Sequence, residues 1–194
     1  MKKYFGALFV VASLVACKSE TEKRAIDFVN PFIGTAEHGH TFPGATTPFG
    51  MVQLSPDTGL EGWDWCSGYH YSDSILIGFS HTHLSGTGCI DLGDILFRPS
   101  LQTPLAFSHS DEKASPGYYS VNLKEAGVLA ELTTTPHVGI HRYTYKKETE
   151  ATLVVDMDHL LDNEYIYEGW VKQTGENEPV SYTHLRAHET RGNL

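Results

Sequence analysis

The sequence has little positive charge and no basic run. Its 194 residues carry 14 Lys and Arg against 24 Asp and Glu, for a formal net charge of -10. Proteins that bind nucleic acid present clustered Lys and Arg to the phosphate backbone, and no such cluster is seen here. The composition therefore predicts no nucleic-acid partner, and it suits a soluble extracytoplasmic protein.

Long apolar runs are also missing, apart from one at the N-terminus. Residues 4–16 are apolar, but they are too few to span a bilayer stably, and two lysines precede them. The stretch ends Leu-Val-Ala-Cys, which resembles a bacterial lipobox in which Cys17 is acylated and becomes the new N-terminus. We expect a signal peptide at 1–17, a tether at 18–25, and an outer-membrane lipoprotein of the periplasm or cell surface; an ordinary signal peptide is the alternative.

Cysteines are few, at three in the whole chain. If Cys17 carries lipid, Cys66 and Cys89 remain. An oxidising compartment would let these two pair if their Cα atoms come within about 7 Å. The sequence leaves this pairing open.

Sustained helical periodicity and internal repeats are absent, whereas short β-type runs are frequent. Residues 25–48 are rich in Gly, Pro, Thr and His and predict loops. Alternation over 119–123 and 128–132, around a turn at 125–127, predicts a β-hairpin. Further strands are predicted at 51–54, 75–79, 94–97, 141–145, 152–155 and 166–171. This pattern predicts an all-β protein, an antiparallel β-sandwich over residues 26–179.

The last segment, 180–194, differs in kind. It shows no strand pattern and looks like the translated adapter sequence that ends some sequencing reads, so we expect it to be foreign. His184 and His188 have metal-ligand spacing there, but no third ligand accompanies them.

Several blocks of sequence occur in order and carry a family resemblance. Residues 29–35 read VNPFIGT, 38–45 read HGHTFPGA, 48–52 read PFGMV, 65–71 read WCSGYHY, 78–89 read GFSHTHLSGTGC and 91–95 read DLGDI. Together they resemble the N-terminal part of the glycoside hydrolase family 92 α-mannosidases. Four or more blocks at sensible spacing are far more specific than any one of them.

The resemblance implies a β-sandwich that precedes an (α/α)6 barrel, with the active site in the cleft between them. It implies an inverting, calcium-dependent exo-α-mannosidase that acts on mannose-containing glycans. Its catalytic Glu and Asp, and most calcium ligands, would belong to the missing C-terminal barrel domain. We therefore expect no catalytic residue in this fragment, which alone would be inactive.

The same blocks place aromatic rings and imidazoles on Gly-rich loops, as a sugar-binding surface requires. Trp63 and Trp65 could stack on a pyranose, although packing in the core is equally open for Trp65. The glycines of 86–88 could let a substrate or the barrel approach closely. The predicted substrate-binding residues are Gly34, Thr35, Trp63, Asp64, Trp65, Cys66, Tyr69, His81, His83, Gly86, Thr87 and Gly88.

Two His-x-His pairs, His38/His40 and His81/His83, could hold zinc if a third ligand converged. Each pair alone is a weak signal, and we predict no metal site in this fragment. Asp91 and Asp94 could form a calcium loop or an acid/base pair, but turn capping beside the next strand is the favoured interpretation.

Two functions from different classes remain open. The favoured hypothesis is the substrate-recognition domain of an α-mannosidase. The alternative is a self-standing carbohydrate-binding surface lipoprotein, and a hydrolase that uses Asp64 or Asp91 with Asp94 is a remote third possibility.

Overall fold

The structure is a computed structural model that describes residues 23–147, 151–161, 166–176 and 178–185. The predicted signal peptide, Cys17, most of the tether and residues 186–194, including His188, lie outside these residues, and so does the side chain of His184. Within the described ranges, no helix is long and apolar enough to cross a membrane.

Short antiparallel strands make up most of the regular structure. The strands are β1 (Ala45–Thr46), β2 (Gln53–Asp57), β3 (Ile75–Leu76), β4 (Gly78–Ser80), β5 (Leu96–Arg98), β6 (Leu105–Ala106), β7 (Glu112–Ser115), β8 (Tyr118–Leu123), β9 (Val128–Thr134), β10 (Gly139–Tyr145), β11 (Val154–Asp156), β12 (Ile166–Gly175) and β13 (Glu178–Leu185). Single 3-10 turns occur at Ala25–Phe28, Trp63–Trp65 and His109–Asp111.

Two larger sheets form the body of the domain. One has the strand order β1-β2-β4-β5-β11, and the other is the meander β10-β9-β8-β7. The pairs β3-β6 and β12-β13 form two further small sheets. Every strand pairing is antiparallel, so the predicted all-β, antiparallel sandwich is confirmed.

The hydrophobic core lies between the two larger sheets. Leu54 and Phe79 come from the first sheet, whereas Tyr119, Val121 and Leu132 come from the second, and all five are buried in one cluster. Burial of each such side chain contributes about 1.5 to 3 kcal/mol of transfer free energy. These side chains fix the two sheets face to face.

The predicted β8–β9 hairpin is confirmed. Burial alternates along β9, where Val128, Ala130 and Leu132 are buried and Leu129 is exposed, as expected for a strand with one face on the core. Gly127 closes the turn with φ of 67° and donates its N–H to the Lys124 carbonyl.

Four strands were not predicted. β1 and β6 are two residues long and β7 is four, which is too short to show a clear alternating pattern. β13 corrects the expectation that no strand begins near residue 180, because its backbone pairs along β12 from Gly175 back to Ile166. The foreign origin of 180–194 stays a prediction.

Three loops carry most of the sequence blocks, while the block 48–52 lies between β1 and β2. The three loops are residues 29–44 before β1, 58–74 between β2 and β3, and 81–95 between β4 and β5. Hydrogen bonds join them: Gly86 N–H donates to the His40 carbonyl, and Tyr71 N–H donates to the Thr35 carbonyl. The loops therefore meet at one side of the first sheet.

Candidate functional site

The loop of residues 34–41 is closed on itself, which fixes His38 and His40. Thr41 N–H donates to the Gly34 carbonyl at 3.2 Å. Gly34 has φ of 82°, a conformation that favours glycine. Thr35 is buried, and its hydroxyl donates to the Phe32 carbonyl. Gly34 and Thr35, both predicted to bind substrate, thus shape the loop in this structure, and their contact with a substrate stays a prediction.

Trp63 presents an exposed indole beside this loop. It begins the 3-10 turn Trp63–Trp65, and its residue is 54% exposed. The His40 ring meets it edge-on at 4.4 Å between centroids, and the His38 ring lies 5.0 Å away, tilted by 43°. A Cβ on Gly88 would lie 2.6 Å from Trp63 Nε1, so a larger residue at 88 would collide with the indole.

Asp64 completes the cluster. Its Oδ1 lies 2.6 Å from His38 Nδ1 and 3.9 Å from His40 Nε2. The hydrogen bond from His38 holds the pKa of Asp64 below its usual range. Because an ionised carboxylate only accepts, His38 Nδ1 carries the shared proton. We call Trp63, Asp64, His38, His40 and Gly88 the loop cluster.

Gly86 and Thr87 lie on the strand connection that borders the loop cluster. Gly86 is exposed, has φ of 72°, and donates its N–H to the His40 carbonyl at 2.6 Å. Thr87 Oγ1 donates to the Cys89 carbonyl. The structure therefore brings five predicted residues to one surface, namely Trp63, Asp64, Gly86, Thr87 and Gly88.

Trp65 and Cys66 point away from that surface. The Trp65 indole N–H donates to Asp73 Oδ2 at 2.8 Å, and Gly59 packs against its ring. Cys66 is buried, and its thiol donates to the Trp63 carbonyl. A 3-10 turn rotates each residue by about 120°, so Trp63 and Trp65 do not share a face as they would on a strand. No disulfide joins Cys66 to Cys89 among the described residues, and Cys89 is exposed.

Tyr69 is part of the core. It is buried, and its hydroxyl donates to Glu112 Oε1 at 2.8 Å. Burial and the Glu112 charge raise the pKa of Tyr69 far above its usual range. The phenol is thus committed to Glu112, and a role in binding substrate stays a prediction.

His83 belongs to a buried polar centre. Its Nδ1 lies 2.7 Å from the Gln53 carbonyl, while its Nε2 lies 2.7 Å from Asp57 Oδ1 and 3.0 Å from Ser80 Oγ. The second oxygen of Asp57 lies 2.9 Å from His159 Nε2. Asp57 is fully buried, and a Cβ on Gly68 would collide with it.

His81 forms a different network with His141. Its Nδ1 donates to the Ile95 carbonyl, so its Nε2 accepts from His141 Nε2 at 3.1 Å. His141 Nδ1 then accepts from the Tyr143 hydroxyl at 2.7 Å. Burial lowers the pKa of His81. Burial and the neighbouring His81 lower the pKa of His141. His81 and His83 are therefore engaged by separate partners, and they do not form a joint ligand pair.

A family model, the glycosyl hydrolase family 92 N-terminal domain, matches residues 28–193. The chain belongs to this family. A family GH92 α-mannosidase of Bacteroides thetaiotaomicron, solved with mannoimidazole, superposes with a TM-score of 0.78 at 39% identity, over 81% of this chain and 23% of that one. An inverting family GH92 mannosidase of the same species gives a TM-score of 0.56 at 30% identity, over 69% and 20%.

A relative from the fungus Arthroderma benhamiae, named an uncharacterized secreted glycosidase, is 31% identical over 173 residues. The match covers 80% of this chain and 22% of the fungal protein. The family 92 domain described here therefore spans less than a quarter of the length of these relatives.

Asp91 and Asp94 make different hydrogen bonds in this family 92 domain. Asp91 Oδ1 accepts from the Leu92 N–H, and Asp94 Oδ2 accepts from the Thr82 hydroxyl at 2.7 Å. Thr82 Oγ1 in turn accepts from the Asp94 N–H. Asp94 thus ties the segment just before β5 to Thr82, and the turn-capping interpretation stays a prediction.

The family implies calcium, and the donor set of the loop cluster does not fit that ion. Calcium takes six to eight oxygen ligands, whereas His38 and His40 offer nitrogen and Asp64 offers one carboxylate. We derive no step through calcium from these residues.

Sequence reasoning missed the partners that bury or orient the predicted residues. Asp57, Glu112, His141 and His159 were not singled out, because no local motif surrounds them. His38 and His40 were noted as a pair, yet Asp64 was considered for substrate binding or catalysis and not as their third ligand.

Proposed function

We propose that the full-length protein is an inverting exo-α-mannosidase and that this domain forms one wall of its substrate site. The family assignment and the mannosidase relatives support this proposal. The mannoimidazole bound by one relative supports a site for a mannose-like ring in that enzyme. The domain contributes recognition and orientation, while proton transfer belongs to two carboxyl groups in the part of the protein that follows.

The exposed Trp63 indole beside Asp64 and His38 is the observation that carries the proposal. An indole face offers apolar contact to the C–H side of a pyranose, and carboxylate and imidazole groups bond its hydroxyls. Gly88 keeps the edge of the indole uncovered because it has no side chain. This combination is typical of a sugar-binding surface, whereas the other predicted rings, Trp65 and Tyr69, are committed to protein partners.

Inversion requires two carboxyl groups about 6.5 to 9.5 Å apart, with a water molecule between one of them and the sugar. Asp64 is held by His38 and lies among imidazoles, with no second carboxylate in its cluster. We therefore assign Asp64 to binding, and we place the acid, the base and the calcium ligands in the C-terminal domain.

We also propose a lipid anchor at Cys17 and a location at the bacterial surface or in the periplasm. The Leu-Val-Ala-Cys sequence supports the anchor. The secreted fungal relative supports export from the cell.

The test begins with the intact reading frame. The full-length protein should release mannose from α-mannosides, whereas the 194-residue chain should release none. A frame that stops near residue 194, in a chain that binds mannose oligosaccharides unaided, would instead favour the self-standing binding lipoprotein.

Two tryptophan variants of the full-length enzyme test which indole contacts the substrate. Trp63→Ala should lower kcat/KM by roughly 5 to 30-fold, mainly through KM, because one stacking ring is lost. Trp65→Ala should instead lower the melting temperature, because its ring is packed on Gly59 and bonded to Asp73. The reverse pattern would remove Trp63 from the substrate site.

A further inference from the structure

The loop cluster brings together three metal-ligating side chains that lie far apart in sequence. His38 and His40 belong to the closed loop of residues 34–41, and Asp64 belongs to the 3-10 turn Trp63–Trp65. One ligand atom from each lies within 4.8 Å of the others. Two imidazoles and one carboxylate on one side of a centre form a ligand set that zinc and iron sites use.

His40 supplies the second observation. Its side chain is only 5% exposed, and its Nε2 is buried without a hydrogen-bond partner in the structure. That nitrogen lies 3.9 Å from Asp64 Oδ1. Buried ring nitrogens are rarely left unsatisfied, so this atom is available to a ligand.

The His40 backbone is held in a strained conformation that aims the ring. Its φ of 51° lies in the left-handed region, which costs energy for a residue with a side chain. The Gly86 N–H bond to its carbonyl and the edge-on contact with Trp63 keep it there. Such strain is typical of functional sites.

The donor atoms of the cluster suit a metal cation. They are two imidazole nitrogens and one carboxylate oxygen. Imidazole ligands favour divalent first-row transition metals over calcium or magnesium. A tetrahedral zinc ion with bonds near 2.0 to 2.1 Å would need ligand separations of about 3.3 Å.

Two of the three separations are close to that requirement, and the third, between His38 and His40, is at most 4.8 Å. The Asp64–His38 contact would open from 2.6 Å, and the Asp64–His40 contact would close from 3.9 Å. Each change is roughly 0.6 to 0.7 Å, given that ligand separation. The His38 side chain is 68% exposed and can rotate.

We propose that His38, His40 and Asp64 bind one divalent transition metal ion of the zinc type, with an open coordination position beside Trp63. The site differs from a calcium site in its nitrogen donors, and metal binding does not depend on mannosidase activity.

In the experiment, the purified 194-residue chain is first treated with a chelator and then titrated with Zn²⁺. The heat of binding is measured by calorimetry, and the amount of bound metal is measured separately. One Zn²⁺ per chain is expected. His40→Ala and Asp64→Asn should each weaken binding by roughly 100-fold or more, as removal of a direct ligand exceeds the 10 to 100-fold effect of an outer partner. The matched controls are His137→Ala, an exposed turn histidine, and Cys89→Ser, an exposed thiol; both should bind zinc normally.

A second readout locates the metal. Cu²⁺ bound at this cluster should quench Trp63 fluorescence, because both imidazoles lie within 5.0 Å of the indole. Trp63→Phe should abolish most of that quenching while it preserves zinc binding. His38→Ala offers a variant at an exposed position, should the buried His40 variant fail to fold.

Zinc binding that persists in both His38→Ala and Asp64→Asn would overturn the proposal. So would an absence of binding in the wild-type chain. A third outcome comes from an NMR titration that monitors the ring signals of His40. If mannose shifts these signals and zinc does not, His40 Nε2 bonds a sugar hydroxyl and the metal site is excluded.

Discussion

His83 Nε2 lies 2.7 Å from Asp57 Oδ1, and neither side chain is exposed to solvent. The other carboxylate oxygen bonds His159, which also is buried. This pairing ties β2 to the loop after β4 and to the segment after β11. It therefore serves the fold, and the substrate-binding role predicted for His83 stays a prediction.

Asp57→Asn should destabilise the domain. The amide replaces a buried carboxylate that bonds both His83 and His159, and a buried hydrogen-bond partner left unsatisfied costs about 1 to 3 kcal/mol. Chemical denaturation monitored by circular dichroism measures the loss. Glu125→Gln, the same type of change in the exposed β8–β9 turn, should shift stability by less than about 0.5 kcal/mol.

The pH dependence of this difference checks its origin. Burial opposes ionisation of Asp57, but His83 and His159 outweigh it and hold the pKa of the carboxyl below its usual range. The contribution is therefore full above the ordinary Asp pKa of about 3.9 and is lost as the pH falls below it. A difference between wild type and Asp57→Asn that stays constant down to pH 2 would contradict this account.

His141 should make the domain sensitive to mild acid. Burial and the neighbouring His81 lower the pKa of His141 to about 3, whereas an unfolded histidine has a pKa of about 6.5. Stability is thus full above pH 6.5 and falls as the pH drops toward 3, because only the unfolded state takes up the proton. The slope should reach at most about 1.4 kcal/mol per pH unit.

Unfolding free energies between pH 7.5 and 4.5 test this point. His141→Phe should flatten the pH dependence, while His137→Phe in the exposed turn should leave it unchanged. Parallel slopes for wild type and His141→Phe would show that His141 does not carry the effect.

Tyr119→Phe should weaken the core through Glu112. The buried carboxylate of Glu112 accepts from Tyr119 at 2.6 Å and from Tyr69 at 2.8 Å. Removal of one donor leaves a buried charge less satisfied, at a cost of about 1 to 3 kcal/mol. Denaturant titration measures it. Tyr118→Phe removes a hydroxyl from the half-buried neighbour that bonds Glu131, and it should cost less.

Cys17→Ala should move the full-length protein from the membrane to the soluble fraction. The lipobox predicts that acylation of Cys17 supplies the anchor. Fractionation followed by immunoblotting of both forms provides the measurement. Unchanged membrane association of the variant would rule out this anchor.

The strands with a clear period of two were accessible from sequence. β9 alternates buried with less buried positions, and β10 alternates half-buried with exposed positions, because neighbouring residues on a strand point to opposite faces. In β8 the residues Tyr119, Ser120 and Val121 are all buried, although its sequence alternates. The Gly127 turn was also visible, since glycine permits its positive φ. β1 and β6 were not, because a two-residue strand is defined by its partner rather than by its own sequence.

The candidate site divides in the same way. The sequence determined that Trp63, Asp64 and Gly86–Gly88 lie on loops rich in glycine, and its blocks indicated the family. Only the tertiary structure decided that Tyr69 and His83 are buried, that Trp65 bonds Asp73, and that Asp64 joins His38 and His40. A sequence pattern reports only on residues that are neighbours in the chain. Asp57 and His159 are 102 residues apart, and packing of the sheets brings them together.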